Sequence, residues 1–356
     1  MHKVVFHKHG EPVHVLELEV TQELPPPGPE QVLVRTTKLP IHSGDHILVT
    51  GHHNPQKYDV PDGGVIPGAE GIGVIEEVGS GVDAGRGLVP GTRVSFFVVG
   101  AWKEKHLLQA DSVFVVPDDI DDALGSQLYV NPMAALLIVR EVVNAASRRA
   151  GVLRISATHA IFTGQNPASN EPGVVLLSAA GSVTAKLIAG LLKEKGYTPI
   201  GMVRSRATAL SLHAETGVLA FCTEDPDWKE QIRKEVGDRN IFAALDAVGG
   251  SISTEMLQLL SPAGTLISYG ILSGEPLIIP QAPLTMQDKR VLGVGMVHWS
   301  LLPYEERAAD LATMTDFLKR HRQLLPTLAE FKLSDHKAAF ELFNKPGRNG
   351  IIFLCP

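Results

Sequence analysis

Cysteine and long apolar runs are both scarce in this chain of 356 residues. Its two cysteines, Cys222 and Cys355, are too few for a disulfide framework or a four-cysteine zinc site, so we expect a reducing, cytoplasmic environment. The longest apolar runs have the length of a strand, so we expect no membrane-spanning helix. The first residues, MHKVVFHKHGEP, show no apolar signal core and no amphipathic Arg/Ser pattern, so we expect no targeting segment.

An excess of positive charge is also absent. The formal net charge is -7 and no long basic run occurs, which argues against a nucleic-acid partner. An apolar content of 44% and a charged content of 20% are ordinary for a globular protein. The length favours two domains.

Two patterns of local structure divide the chain. Short alternating strands such as QVLVRTTKL and GVIEEVG, separated by PPPGPE, PDGG and VPGTRV turns, predict a β-rich domain in about the first 130 residues. AALLIVREVVNAASRR predicts a long helix. From Val174 six strands alternate with helices, which predicts an α/β domain with a doubly wound parallel sheet. A last helix and the strand GIIFLCP are expected to rejoin the first domain.

The segment VVLLSAAGSVTAKLIAGLL predicts a buried strand, a tight turn and a helix. A pyrophosphate needs a close backbone approach at a helix N-terminus, and the small residues from Ser178 to Ser182 permit it. With Gly181 as its one glycine, the turn is equally typical of any strand-to-helix connection. Its position as the first turn of the six-strand series, where the topological switch point falls, favours a phosphate loop.

The second strand of the series ends in VRSR, and no acidic residue lies on GMVRSRATA. An acid here would bind a ribose 2′-hydroxyl, whereas basic residues suit the 2′-phosphate of NADP. The alternative is a solvated pair at a strand end. We therefore predict NADPH as the cofactor.

The chain resembles the medium-chain dehydrogenase/reductase superfamily, because four motifs occur in the same order as in that superfamily. These motifs are PGAEGIGVIEEVGSGV, VPGTRV, DAVGGSIS and GTLISYG. VNPMAA, GMVRSR and GVGMVHW are similar to segments of its zinc-independent branch, the quinone reductases and mitochondrial-type trans-2-enoyl-CoA reductases. The resemblance implies a GroES-like β-barrel catalytic domain (1–132, completed by 305–356) and a Rossmann domain (133–304), with the cofactor in the cleft.

The resemblance also implies roles for individual residues. Asn131 is expected near the nicotinamide, Ser182, Val183 and Thr184 at the pyrophosphate, and Arg204, Ser205 and Arg206 at the 2′-phosphate. The nicotinamide end would be lined by Tyr269, Gly270, Ile271, Gly295 and Met296. The phosphate loop departs from the family's Gly-Val-Gly, since Ser182-Val183-Thr184 replaces both glycines and the β-branched Thr184 allows less close packing.

Zinc is not expected. Catalytic zinc needs three protein ligands and an open position. In the zinc alcohol dehydrogenases of this fold, the first ligand is a Cys where IHSGDH has His42, and PGAEG has Ala69 in place of the ligand His, leaving Glu70.

The resemblance implies hydride transfer from NADPH to an α,β-unsaturated carbonyl compound, with a Tyr in a Gly-x-Tyr loop as the proton donor. That loop reads Gly51-His52-His53 here, so His53 is the candidate, with Tyr58 five residues further on; a polar surface loop is the alternative. Tyr129 is a third candidate or a core residue. His298 and Trp299 follow the last parallel strand and would form a substrate wall or a buried aromatic beside a satisfied histidine.

Two other functions remain open. One is quinone reduction, which needs no dedicated proton donor, and the other is a nucleotide-binding sensor or structural protein without catalysis. In the resembling family the last Rossmann strand pairs with its twin. The apolar segments GEPLIIPQAPLT and RVLGVGMV supply such an edge, so we expect a homodimer acting on a small molecule.

Overall fold

The structure is a computed structural model that describes residues 1–52, 59–156, 173–345 and 347–356. The chain divides into two compact units, one of Met1–Met133 with His298–Pro356 and one of Ala134–Val297. Among the described residues, no helix is long and apolar enough to cross a membrane.

Fifteen strands are present in the described part of the chain. In chain order they are β1 (His2–Phe6), β2 (Leu16–Val20), β3 (Gln31–Pro40), β4 (Glu70–Val78), β5 (Arg93–Phe97), β6 (Lys105–Gln109), β7 (Val113–Val115), β8 (Val174–Leu177), β9 (Thr198–Val203), β10 (Leu219–Cys222), β11 (Ile241–Asp246), β12 (Thr265–Ser268), β13 (Arg290–Gly293), β14 (Thr327–Lys332) and β15 (Ile351–Cys355).

The α-helices in the same ranges are α1 (Pro12–Val15), α2 (Ser43–Thr50), α3 (Asp122–Gly125), α4 (Val130–Ser156), α5 (Val183–Glu194), α6 (Arg206–Thr216), α7 (Trp228–Val236), α8 (Ser251–Leu259), α9 (Gln281–Met286), α10 (Val297–Ser300), α11 (Tyr304–Arg320) and α12 (His336–Phe343). Short 3-10 helices lie at Ala84–Arg86, Ala110–Ser112, Arg322–Leu324 and Leu333–Asp335.

The first unit is built around the long strand β3. Its Gln31–Arg35 half pairs with β6, its end at Leu39–Pro40 pairs with β15, and β4 pairs along it with two register shifts. Such irregularities bend a strand, so β3 can exchange one partner for another within a curved sheet. The sheet order is β14-β15-β3-β4-β5-β7, and the final strand therefore rejoins the first unit, as predicted.

The second unit contains a parallel sheet of six strands in the order β10-β9-β8-β11-β12-β13. All four residues of β8 are buried, because the strand lies in the middle of the sheet. The predicted doubly wound α/β fold is confirmed. The last strand is shorter than the predicted RVLGVGMV and ends at Gly293, where the Gly293-Val294-Gly295 sequence favours irregular backbone.

Candidate functional site

The cofactor residues predicted in the second unit follow the carboxyl ends of the parallel strands. The turn after β8 contains Ser178–Ser182, and Arg204 and Ser205 follow β9. Tyr269, Gly270 and Ile271 follow β12, and Gly295 and Met296 follow β13. Because the strands are parallel, these segments lie at the same edge of the sheet, which is where open α/β sheets bind their ligands. The strand order reverses between β8 and β11, so the first turn lies at the switch point.

The turn after β8 is compact. Ala179 has a positive φ of 45°, which is uncommon for a residue other than glycine. A Cβ on Gly181 would lie 2.9 Å from the Thr208 Cγ2, so the glycine permits close approach to α6. Ser182 is the N-cap of α5, and its Oγ accepts a hydrogen bond of 3.3 Å from the Ala185 N–H. Val183 and Thr184 begin this helix. The turn therefore offers a helix N-terminus with little side-chain bulk.

A buried polar network supports this turn from the next strand. Asp246, at the end of β11, is fully buried and accepts hydrogen bonds from the hydroxyls of Ser178 and Ser253. The Val248 N–H donates to the same carboxylate at 2.9 Å, and the Ala247 N–H donates to Ser178 Oγ at 2.8 Å. Sequence analysis missed this network. In the sequence, this network is indicated by one acidic residue, Asp246, near the end of the apolar segment FAALDAV.

The two arginines after β9 differ in their contacts. Arg206 begins α6, is exposed, and forms an ion pair of 2.9 Å with Asp225. Ser205 caps the same helix through the Thr208 N–H. Arg204 is exposed, and its guanidinium forms no hydrogen bond or ion pair within the part of the chain that the structure describes. Arg204 is therefore better available to an external anion than Arg206 is.

The residues predicted at the nicotinamide end differ in their packing and exposure. A Cβ on Gly270 would lie 2.7 Å from the Ala247 carbonyl oxygen, so this glycine is required by packing between strand ends. Burial raises the pKa of Tyr269, and its hydroxyl has no hydrogen-bond partner among the described residues. Ile271 and Gly295 are exposed and Met296 is half-buried.

In the first unit, the half-buried Asn131 is hydrogen-bonded to the buried residues His42 and Glu70 in a chain. Its Nδ2 lies 3.3 Å from Nδ1 of His42, and Nε2 of His42 lies 2.7 Å from Oε1 of Glu70. The other oxygen of Glu70 accepts hydrogen bonds from the N–H groups of Tyr129 and Val130, at the start of α4. One carboxylate thus holds both the imidazole and the helix that carries Asn131.

Asp45 completes the charge balance around His42. Its two oxygens accept hydrogen bonds from the backbone N–H groups of His42 (2.7 Å) and Gly68 (3.1 Å). Burial raises the pKa of Asp45 to about 6. Burial also opposes a charge on His42, but the hydrogen bond to Glu70 and the attraction of Glu70 and Asp45 outweigh it, so the pKa of His42 is raised. Sequence analysis placed His42 and Glu70 in the barrel without assigning them to the site.

The remaining predicted residues are placed less favourably for catalysis. Tyr129 is 2% exposed, burial raises its pKa, and its ring packs against Phe97 and Trp299. Trp299 is also buried, and its indole N–H donates to Asp310 at 2.9 Å. It is therefore a buried aromatic residue, the alternative to a substrate wall. His298 is exposed. The candidates His53 and Tyr58 lie outside the described residues.

Potential metal ligands converge at one exposed place in the described ranges, His7 with Glu17 and Glu19. Lys3 forms an ion pair of 3.1 Å with Glu19, so a cation is already present beside these carboxylates.

Two family models match the chain. Residues 28–118 match the alcohol dehydrogenase GroES-like domain and residues 186–318 match the zinc-binding dehydrogenase. The chain belongs to the medium-chain dehydrogenase/reductase superfamily. Both domains of the predicted fold, the GroES-like domain and the Rossmann domain, are thereby confirmed.

Curated relatives of this medium-chain dehydrogenase/reductase include the mitochondrial enoyl-[acyl-carrier-protein] reductases of Bos taurus and Homo sapiens. They are 26% and 24% identical, over 96% of this chain and 85% of each relative. A Bacillus thuringiensis structure assigned as an NADPH:quinone reductase is 26% identical, with a TM-score of 0.82 over 100% of this chain and 99% of that one. Escherichia coli quinone oxidoreductase, solved with NADPH, shares the fold at 19% identity, with a TM-score of 0.77 over 100% of each chain.

Gly201 of β9 is expected to set the position of the turn after β8 in this medium-chain dehydrogenase/reductase. A Cβ at Gly201 would lie 2.7 Å from the Ala180 Cβ and 3.0 Å from the Ala220 Cβ. We expect Gly201→Val to overpack this contact and lower the free energy of unfolding by about 1–3 kcal/mol, measured by urea denaturation. Gly295→Val is the matched control, because a Cβ there meets no atom within 4 Å. Equal urea midpoints for the two variants would contradict the assignment.

Proposed function

We propose that this protein is an NADPH-dependent reductase of activated carbon–carbon double bonds in α,β-unsaturated carbonyl compounds, 2-enoyl thioesters among them. The observation that carries the proposal is the convergence of the small-residue turn and Arg204 at one edge of a parallel sheet. The mitochondrial enoyl reductases, similar over 96% of the chain, support the substrate class.

The residues at the sheet edge are suited to NADPH. The N-terminus of α5, with Ser182, Val183 and Thr184, would hold the pyrophosphate, because backbone N–H groups and the helix dipole favour negative charge there. Arg204 would bind the 2′-phosphate, with Ser205 and Arg206 beside it. Asn131 would lie at the nicotinamide, and Tyr269, Gly270, Ile271, Gly295 and Met296 would line that end in the second unit. When bound, NADPH supplies the hydride that reduces the β-carbon.

The chain itself must stabilise the negative charge on the carbonyl oxygen and deliver a proton to the α-carbon. Tyr129 is poorly suited to proton transfer, because burial raises its pKa and its ring packs in the core. We therefore keep His53 as the proposed donor and Tyr58 as the alternative. His298 is the remaining substrate-wall candidate, since Trp299 is buried.

Quinone reduction is the second candidate function. A planar quinone accepts hydride without a dedicated donor at carbon, so the burial of Tyr129 favours this chemistry. The Bacillus thuringiensis neighbour, at 26% identity, gives it further support. A sensor without catalysis would bind NADPH and reduce nothing.

The proposed reaction is tested by NADPH consumption with crotonyl thioester, 2-alkenals and a quinone panel. We expect turnover of the thioester or the alkenals to exceed that of the quinones by at least about tenfold, a difference of 1.4 kcal/mol in the barrier. Turnover of the quinones alone would support quinone reduction as the function instead. Tight NADPH binding with no turnover of any compound would favour the sensor.

We also propose that the reaction needs no zinc. Ala69 offers no ligand atom, and the Nε2 of His42 already lies 2.7 Å from Glu70. The substrate panel is therefore run before and after dialysis against a chelator, with unchanged rates expected. A loss of rate that added zinc restores would contradict this part of the proposal.

Arg204 is expected to carry the preference for NADPH. Arg204→Ala should raise the NADPH dissociation constant by about ten- to hundredfold and leave that of NADH nearly unchanged, because a charged hydrogen bond contributes about 1.5–3 kcal/mol. Arg206→Ala should have a smaller effect, since Arg206 is already paired with Asp225. Arg233→Ala, an exposed arginine of α7 paired with Glu230, is the control. Equal affinity of the unmodified protein for NADPH and NADH would contradict the cofactor assignment.

We propose that the protein forms a homodimer through β13. Among the described residues this strand pairs with β12 along one side only, and exposed apolar residues precede it, with Ile278 60% and Met286 83% exposed. A bare strand edge promotes association. Light scattering at micromolar concentration should give twice the chain mass of 38.3 kDa. Ile278→Lys should shift the protein toward monomer, whereas Leu210→Lys on α6 should not; a monomeric unmodified protein would contradict the proposal.

A further inference from the structure

Arg348 lies in the turn between α12 and β15, in the first unit. Gly347 and Gly350 flank it with positive φ values of 74° and 127°, which glycine adopts readily. The guanidinium is half-buried, and its Cζ lies 3.9 Å from the centroid of the Phe343 ring. The turn therefore holds this charged side chain against an aromatic residue and partly out of solvent.

The guanidinium of Arg348 has no counter-ion in the first unit. It forms no hydrogen bond or ion pair with any described residue. The residues of this unit outside the described ranges, 53–58 and 346, include no acidic residue. Burial lowers the pKa of Arg348, and no carboxylate counteracts this effect. A half-buried cation without a counter-ion is costly, and one aromatic contact offsets only part of that cost.

The titratable groups around Arg348 cannot supply the missing negative charge. Its charge acts on His42 and His46, and His52 also acts on His46, so these three neighbours are bases. The buried carboxylates beside His42 already accept hydrogen bonds from its imidazole and from backbone N–H groups. Glu11 acts on His46 but forms no ion pair with Arg348 in the described part of the chain. The counter-ion must therefore come from a ligand.

A carboxylate suits this place better than a phosphate. The planar guanidinium presents a pair of N–H donors that fits both oxygens of a carboxylate. His46 stacks on the same Phe343 ring, with the two centroids 6.1 Å apart. Burial and the nearby positive charges lower the pKa of His46, so its neutral ring offers an N–H but no second charge. One positive charge balances a carboxylate and leaves a phosphate dianion incompletely neutralised.

We propose that Arg348 binds the substrate and selects α,β-unsaturated carbonyl compounds that carry a carboxylate. This assignment rests on the proposed function, in which Asn131 lies at the nicotinamide. His42, on which the charge of Arg348 acts, lies 3.3 Å from Asn131 through its Nδ1. A carboxylate bound to Arg348 would therefore lie in the same part of the first unit as the residue proposed to contact the nicotinamide.

Anion binding is tested first in the protein without cofactor, with crotonate and the neutral crotonamide as probes. The NMR signal of a 15N-labelled Arg348 side chain, identified by its loss in Arg348→Lys, should shift with crotonate and not with crotonamide. Tighter binding of inorganic phosphate than of crotonate would overturn the choice of a carboxylate. The absence of a shift with crotonate would overturn the site itself.

The effect on specificity is tested with 4-oxopent-2-enoate and its methyl ester, which carry the same activated double bond with and without a charge. Arg348→Gln should lower kcat/KM for the carboxylate by about ten- to hundredfold, mainly through KM, and leave that for the ester within about twofold. Arg348→Lys retains the charge and should lose less. Arg35→Gln, at an exposed arginine of the same unit that is paired with Glu76, is the control and should leave both compounds unchanged.

The remaining outcomes separate this inference from the proposed function. Equal losses for the carboxylate and the ester in Arg348→Gln would indicate a structural effect and overturn the inference. A rise of about tenfold or more in the NADPH dissociation constant of this variant would assign the anion to the cofactor and would also overturn it. If the unmodified protein reduces neither compound, the proposed function is contradicted, while the NMR titration still decides whether Arg348 binds a carboxylate.

Discussion

The position of β8 in the middle of the parallel sheet is the constraint on which the predicted cofactor-binding edge of that sheet depends. The strand is hydrogen-bonded to β9 on one side and to β11 on the other. Its carboxyl end must therefore lie beside the ends of both neighbours, and the chain must turn away from the sheet there. The turn with Ser178, the arginines after β9 and the buried Asp246 after β11 come together for this reason, although they are far apart in sequence.

Glu70 has a comparable role in the first unit. A buried carboxylate is costly unless all its oxygens are hydrogen-bonded, and Glu70 meets this requirement with one imidazole and two backbone N–H groups. The same three bonds join β4 to α2, through the N-cap residue His42, and to the start of α4. Loss of this carboxylate would therefore disturb the position of Asn131 as well as the charge of His42.

Much of the fold could be predicted from the sequence, because local patterns determine it. Apolar runs and glycine-containing turns marked the six strands of the second unit. The prediction failed at Val294–Val297, because Gly293 and Gly295 interrupt the apolar run there. Single polar residues show no such local pattern, so their place in a site could not be predicted. Asp246, Glu70 and His42 were not recognised as site components, because hydrogen bonds over more than 20 residues of sequence are invisible to local periodicity. Cofactor roles in the second unit, the cytoplasmic location and the absence of zinc stay predictions.

The turn after β8 lacks two glycines of the resembling family, and its compact backbone has other sources. Ala179 adopts a positive φ of 45°, a conformation that costs of order 1–3 kcal/mol for a residue other than glycine. Strain of this size persists only where the surroundings impose it. Here Gly201 supplies the space beside Ala180, and Gly181 supplies it beside Thr208. Gly181 and Gly201 thus make room around the turn, which favours a binding role for it over the hypothesis that the departure from Gly-Val-Gly marks a lost site.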